Sequence, residues 1–159
     1  MAGHGAPSLS VDAAGAKVAI VASSWHTEVM EGLIAGSQRT LTAAGVTEVD
    51  LIRAAGSFEL PIIAQACARA DYDAVIALGV IIRGGTPHFE YVSAAATDGL
   101  SRVALDTGVP VGFGLLTCDD ETQALDRAGL PDSVEDKGAE AAEAALATWA
   151  TLKSIALRR

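Results

Sequence analysis

Four short apolar runs, each followed by a longer stretch with apolar positions at helical spacing, set the plan of the chain. Residues 17–22 form a β-branched run stopped by Ser23 and Ser24, and a helical pattern follows over about 25–44, closed by Gly45. Residues 46–54 read as a second strand. Gly56 and Ser57 then lead into a helix over about 58–70, with Pro61 in its first turn, where a missing N–H costs little. The most apolar run, 74–82, is the expected central strand, and the helix after Thr86 continues to about Asp106 before Gly108 and Pro110 break the chain. Residues 111–118 read as the last strand. Asp119 and Asp120 cap a short helix over 121–128, which Gly129 and Pro131 end. A final alanine-rich helix spans about 134–157, with Leu146, Trp149, Leu152 and Ile155 near helical spacing, so Trp149 is read as a packing residue. Strands alternating with helices in this way predict an α/β fold with a four-stranded parallel sheet and helices on both faces.

Composition sharpens this picture. The 159 residues suit a single domain, and with 50% hydrophobic but only 4% aromatic residues the core is built from Ala, Val, Leu and Ile. A mean hydropathy of +0.34 is rich for a monomer. A sheet covered on both faces accounts for some of it, and burial against other subunits is expected to account for more. Eleven Lys and Arg against twenty Asp and Glu give a net charge of −9, with a basic cluster only over 153–159, which argues against nucleic acid as a partner. Cys67 and Cys118 show no CxxC spacing and read as free thiols in a reducing compartment, while His4, His26 and His88 are too scattered for a metal site. Residues 1–15 are expected to form a flexible arm ahead of one domain over 16–159. They lack the pattern of a secretory signal, and the apolar run 74–82 falls far short of the roughly 20 residues of a membrane span, so a cytoplasmic location with no membrane partner is expected.

Candidate chemistry gathers at three strand ends: Ser24-Trp25-His26, Gly56-Ser57-Phe58-Glu59, and Arg83-Gly84-Gly85-Thr86-Pro87-His88-Phe89-Glu90. In a parallel sheet these share the carboxyl edge, where ligands bind near a switch in strand order. The third stretch offers backbone N–H groups at Gly84 and Gly85, Thr86 as N-cap, Pro87 as the first helical residue and His88 in the first turn. A helix start of this kind attracts phosphate, and an imidazole beside a bound phosphate suits proton transfer. Taken singly, each residue has a plainer reading: Trp25 covers core, Glu59 meets the helix dipole, His26 is exposed, and the third stretch merely starts a helix. Phe113, at the start of the last strand, stands a strand length of roughly 17 Å from the carboxyl edge. The helix bearing Arg127 runs back from that edge for about 12 Å. Either residue would serve the site only from a neighbouring chain; a core aromatic and a surface ion pair are their plainer readings.

Four motifs together resemble the lumazine synthase family: Gly56-Ser57-Phe58-Glu59-Leu60-Pro61, residues 83–92, Leu115-Leu116-Thr117, and Gln123 through Gly129 followed by Asp136-Lys137-Gly138. Their order and distances match from about Lys17 onward. The resemblance implies a flavodoxin-like three-layer sandwich and an enzyme of riboflavin biosynthesis that uses no cofactor and no metal. Such an enzyme condenses 5-amino-6-ribitylamino-2,4(1H,3H)-pyrimidinedione with 3,4-dihydroxy-2-butanone 4-phosphate, giving 6,7-dimethyl-8-ribityllumazine, phosphate and water. It implies that Trp25 stacks on the pyrimidine and that Ser57, Phe58 and Glu59 bind the ribityl side. Ile81 and Ile82 would offer backbone contacts, Gly84, Gly85 and Thr86 would hold phosphate, and His88 would transfer protons. It further implies that Phe113, Arg127 and Lys137 enter from the adjacent subunit of a homopentamer, with Arg127 on the phosphate. Gly85 stands where many relatives carry a longer polar side chain, and the segment over 128–136 is longer than in shell-forming relatives, which favours an isolated pentamer. Alternatives are a phosphate- or flavin-binding module and a shell-forming relative without activity.

Overall fold

The structure, a computed structural model, describes residues 10–158. Its elements are β1 (Lys17–Ser23), α1 (Thr27–Ala43), β2 (Glu48–Ala54), a 3-10 turn (Ser57–Glu59), α2 (Leu60–Ala68), β3 (Ala74–Ile82), α3 (His88–Thr107), β4 (Val111–Cys118), α4 (Glu121–Leu125) and α5 (Lys137–Ala156). All strand pairs are parallel and the order is β2-β1-β3-β4. This is the four-stranded parallel sheet with helices on both faces expected from the alternation of runs, in the flavodoxin-like three-layer form that the family resemblance implies.

Side-chain alternation along each strand builds two cores. Val18, Ile20 and Ala22 of β1 and Ala74, Ile76, Leu78 and Val80 of β3 point to α1 and α5. Their neighbours Ala19, Val21, Val75, Ala77 and Ile81 point to α2 and α3. A strand buried on both faces reads as an unbroken apolar run, which is why 74–82 stood out as central. Cys118 belongs to the first core and Cys67 to the second, so both thiols are buried and the sheet separates them.

Glycines let α5 sit close to its neighbours, Gly138 against α1 and Gly112 of β4 against the Ala141 carbonyl. A Cβ at Gly138 would collide with the carbonyl of Leu33 in α1, and the Gly138 carbonyl accepts a 2.8 Å hydrogen bond from Ser37 Oγ. Asp136 caps α5 by accepting from the Ala139 N–H at 2.9 Å and also pairs with Arg39 at 2.8 Å. Trp149 packs against the first core, as its spacing suggested, whereas Leu152 and Ile155 beyond it are exposed.

Several boundaries differ from expectation for identifiable reasons. Residue 26 takes a left-handed backbone, φ 56°, so α1 starts at Thr27 rather than near Trp25. Residues 57–59 form a separate 3-10 turn, leaving α2 to begin at Leu60 with Pro61 in its first positions. Helix α4 ends at Leu125, three residues early, and α5 starts at Lys137 because Asp136 supplies its cap. Of the expected arm, residues 1–9 lie outside the described residues. The portion that is described is tied down: Ala13 is fully buried and its N–H donates to the Ala44 carbonyl at 2.8 Å.

At the amino edge of the sheet Tyr72 donates a 2.6 Å hydrogen bond to Asp50, and Lys17 lies 4.5 Å over the Tyr72 ring. The hydrogen bond to the Asp50 carboxylate pushes the phenol pKa up to about 12. Because this folded value exceeds the unfolded one of about 10, the bond stabilises the fold below pH 10, and that contribution is lost as pH rises through 12. Solvent screening keeps it under about 1 kcal/mol. Denaturant titrations of Tyr72→Phe are expected to show a small loss at pH 8 and convergence with wild type above pH 12; a constant difference across that range would contradict the assignment.

Candidate active site

The connections that leave the carboxyl ends of β1, β2 and β3 wall a single open cavity of about 870 Å³. Trp25 and His26 come from the first connection, and Gly56, Ser57, Phe58 and Glu59 from the second. Val80, Ile81 and Ile82 form the floor, and α3 closes the far side with His88, Tyr91, Val92 and Ala95. The position follows from topology. The chain passes from β1 outward to β2 and then back across β1 to β3, and right-handed crossovers in opposite directions place α1 and α2 on opposite faces. A crevice opens where they part.

Local sequence explains how each wall is held. Ser24 Oγ donates to the Ala54 carbonyl at 2.7 Å and Arg53 Nη2 to the Ser23 carbonyl at 2.9 Å, so the ends of β1 and β2 are tied together beside the cavity. The left-handed turn at His26 costs about 1 kcal/mol for a residue with a Cβ, and it swings the chain so that Trp25 stands at the mouth, 67% exposed. Gly56 keeps the next wall close. A Cβ there would lie 3.1 Å from Glu59 Oε2 and 3.5 Å from Trp25 Nε1, so a carboxylate and an indole edge meet above this glycine.

Ser57 is 8% exposed and its hydroxyl donates to the Val80 carbonyl at 3.3 Å. With that proton committed to β3, its oxygen is left to accept from a ligand hydroxyl. Gly79 makes this contact possible, because a Cβ at that position would sit 2.8 Å from Ser57 Oγ, 2.9 Å from Leu115 Cδ1 and 3.0 Å from Leu60 Cδ1.

Residues 84–86 follow Ile82 and precede His88, both lining residues, and so form the rim of the cavity. They are exposed, and a Cβ at Gly84 or Gly85 would meet nothing within 4 Å. One expectation changes here. Pro87 occupies the N-cap of α3, no side chain caps the helix, and His88 is its first residue, so Thr86 is not the cap and stands one position outside.

Three expected site residues lie away from the cavity. Phe113 pairs with Ala77, three residues before the cavity floor begins at Val80, or about 10 Å along the strand. Arg127 follows the shortened α4 and donates from Nη1 to the Gln123 carbonyl at 2.8 Å. Lys137 opens α5 with its ammonium 2.7 Å from both Glu135 and Glu140. Burial works against the Lys137 charge, but hydrogen bonds to these two carboxylates outweigh it and raise the pKa. Among the described residues no three His, Cys, Asp or Glu side chains gather as a metal site.

The family model for 6,7-dimethyl-8-ribityllumazine synthase matches residues 15–153. The chain belongs to this lumazine synthase family. The chain is 64% identical to the 6,7-dimethyl-8-ribityllumazine synthase of Leifsonia xyli subsp. xyli over 98% of its own length and 99% of that protein's. Identity is 60% to that of Kineococcus radiotolerans and 58% to that of Streptomyces coelicolor, each covering 98% of this chain and 97% of the relative.

One candidate is sharpened and one group of cavity residues escaped the sequence reading. His26 stood in a strand-end stretch placed at this edge, with an exposed residue as its plainer reading, and it is half-buried in the wall. Tyr91, Val92 and Ala95 went unnoticed, although with His88 they form an i, i+3, i+4, i+7 stripe on α3. In this lumazine synthase chain, Gly79→Ala is expected to cost about 1–3 kcal/mol and to lift the Ser57 turn away from β3. Thermal denaturation combined with substrate kinetics would show a lower midpoint and a KM for the pyrimidine raised several-fold; unchanged kinetics would separate Ser57 placement from binding.

Proposed function

We propose that this chain is a 6,7-dimethyl-8-ribityllumazine synthase whose cavity receives the pyrimidinedione between Trp25 and the floor at Ile81 and Ile82. The observation that carries this reading is the convergence of Trp25, Glu59 and His88 on one cavity at the sheet's carboxyl edge in a chain of this family. Trp25 and Phe58 are exposed aromatics able to cover a flat ring, and Glu59 with Ser57 accepts from ribityl hydroxyls. The rim at Gly84, Gly85 and Thr86 offers N–H groups and a hydroxyl to the phosphate of the second substrate.

The reaction begins when a primary amine of the pyrimidinedione attacks the ketone of 3,4-dihydroxy-2-butanone 4-phosphate. Loss of water gives an imine, elimination expels phosphate, and the second ring amine closes the new ring with loss of a second water. Each step relocates a proton. His88, at the start of α3 beside the rim, takes protons as base and returns them as acid. Holding both reactants side by side supplies several kcal/mol more.

Phe113, Arg127 and Lys137 complete the site from the adjacent subunit of a homopentamer. Supporting this, Tyr91 (75% exposed) at the cavity and Leu105 (81%) and Phe113 (48%) away from it leave apolar surface uncovered along α3 and β4. Arg127 then stabilises the departing phosphate in concert with the rim.

Product fluorescence with both substrates tests the activity directly. His88→Ala is expected to slow turnover roughly 10- to 100-fold without abolishing it. Arg127→Ala chiefly raises KM for the phosphate substrate, by about tenfold or more. Co-refolding the two variants in equal amounts tests the sharing, since sites built from two chains can pair an intact His88 with an intact Arg127. Activity above the mean of the two parents is expected; activity equal to that mean would place all groups within one chain.

A further inference from the structure

The rim turn poses a mechanical question. Residues 84–87 are exposed, their glycines have open space around them, and α3 starts without a side-chain cap, so nothing within the turn itself fixes its shape. A turn that presents N–H groups to an anion works only if those groups already point the right way. The fixing must come from its two ends.

Both ends run to one side chain. The backbone N–H of Arg83 continues the sheet by donating to the Cys118 carbonyl at 2.9 Å. Its guanidinium Nε donates to Asp119 Oδ1 at 2.8 Å, just past the end of β4. Its Nη1 donates to the carboxylate of Glu90 in the first turn of α3, and its Cζ lies 4.2 Å over the Phe89 ring. Asp119 is itself held, its N–H donating to Gln123 Oε1 at 2.9 Å. One planar fork therefore joins the residue before the turn to the two residues after His88, and secures both to the end of β4. We propose that Arg83 is the positioning residue of the active site, setting the rim turn and His88 relative to each other. The proposal rests on reading residues 84–86 as the phosphate turn.

Charge decides between positioning and direct phosphate binding. The carboxylates of Glu90 and Asp119 both lie on the guanidinium and are held below the usual carboxylate range by its hydrogen bonds. The three groups together carry one net negative charge, which gives no pull on an incoming phosphate. What Arg83 contributes is geometry, and a lysine cannot reproduce it, because an ammonium has neither the fork nor the flat face that stacks on Phe89.

The test compares amide hydrogen exchange with steady-state kinetics in the assembled protein. Arg83→Met is expected to speed exchange over residues 83–90 about tenfold while leaving β1 protected, to raise KM for the phosphorylated ketone about tenfold, and to leave KM for the pyrimidine nearly unchanged. Arg83→Lys should behave like Arg83→Met. Asp119→Asn and Glu90→Gln, which alter only exposed carboxylates, should each show part of both effects and keep the test available if Arg83→Met folds poorly. Unchanged exchange over 83–90 would overturn the proposal. So would Asp119→Asn and Glu90→Gln binding the phosphate substrate more tightly, since that is the signature of an arginine freed to grip the anion itself. Faster exchange with both KM values unchanged would overturn the link to catalysis, and Thr86→Val then identifies the failed premise. A wild-type KM in Thr86→Val removes the phosphate turn, whereas a raised one removes Arg83 alone.

Discussion

The site exists because the chain reverses direction across the sheet after β2. With strand order β2-β1-β3-β4, the crossover helices α1 and α2 must lie on opposite faces, which leaves a crevice at the carboxyl ends of β1 and β3 that α3 walls on one side. Trp25, His26, Ser57, Glu59 and His88 line that gap. Burial of β3 on both faces fixes its register against β1 and β4, and that register in turn sets the height of Val80, Ile81 and Ile82 as the cavity floor. A one-residue slip would exchange the two cores, sending Leu78 toward α2 and Ala77 toward α1. The site thus inherits its precision from packing that lies far below it.

That dependence explains which features were legible in the sequence. The limits of 74–82 were read correctly because an apolar run buried on two faces ends where burial ends, whereas 111–118, exposed at Phe113 and Thr117, was bounded by Gly108 and Pro110 before it and Asp119 and Asp120 after it. The carboxyl-edge convergence was legible for the same reason, since a parallel sheet leaves only one edge for all three connections. Helix starts were less so. The left-handed His26 is signalled only weakly by its residue type, where glycine would have announced it, and the 3-10 turn at 57–59 is held by a contact distant in sequence, that of Ser57 with Val80. Tyr91 was missed for a different reason. A stripe of mixed size on a helix looks like packing until one knows which face the sheet leaves open.

The residues that stay outside the cavity carry as much information as those inside. Phe113 lies on the α2/α3 face of β4 between Val111 and Leu115, yet it stays half exposed, and Arg127 and Lys137 open and close the excursion over 126–137, where Glu135 N–H reaches the Asp126 carbonyl at 2.8 Å and Lys137 N–H the Arg127 carbonyl at 3.0 Å. These backbone bonds make the excursion a braced structure rather than a loose connection. Such bracing suits the delivery across an interface proposed for Arg127 and Lys137, because a side chain supplied in that way has no strand of the receiving subunit to hold it in register.

Two kinds of rigidity thus meet at His88. The walls bearing Trp25, Ser57 and Glu59 are fixed by cross-strand bonds and by close packing against Gly56 and Gly79, which tolerate almost no movement. The rim is fixed only at its ends, through the fork of Arg83, and its interior stays open to solvent. The difference suits the two substrates as placed by the proposed function. A flat ring with a polyol tail is recognised by shape and demands a preformed slot, whereas a phosphate must bind and then leave as a free ion within the same cycle. A turn clamped at both ends but unpacked in the middle can hold donors in place while leaving an exit open, and His88, sharing its helix with Glu90, keeps its relation to that turn throughout.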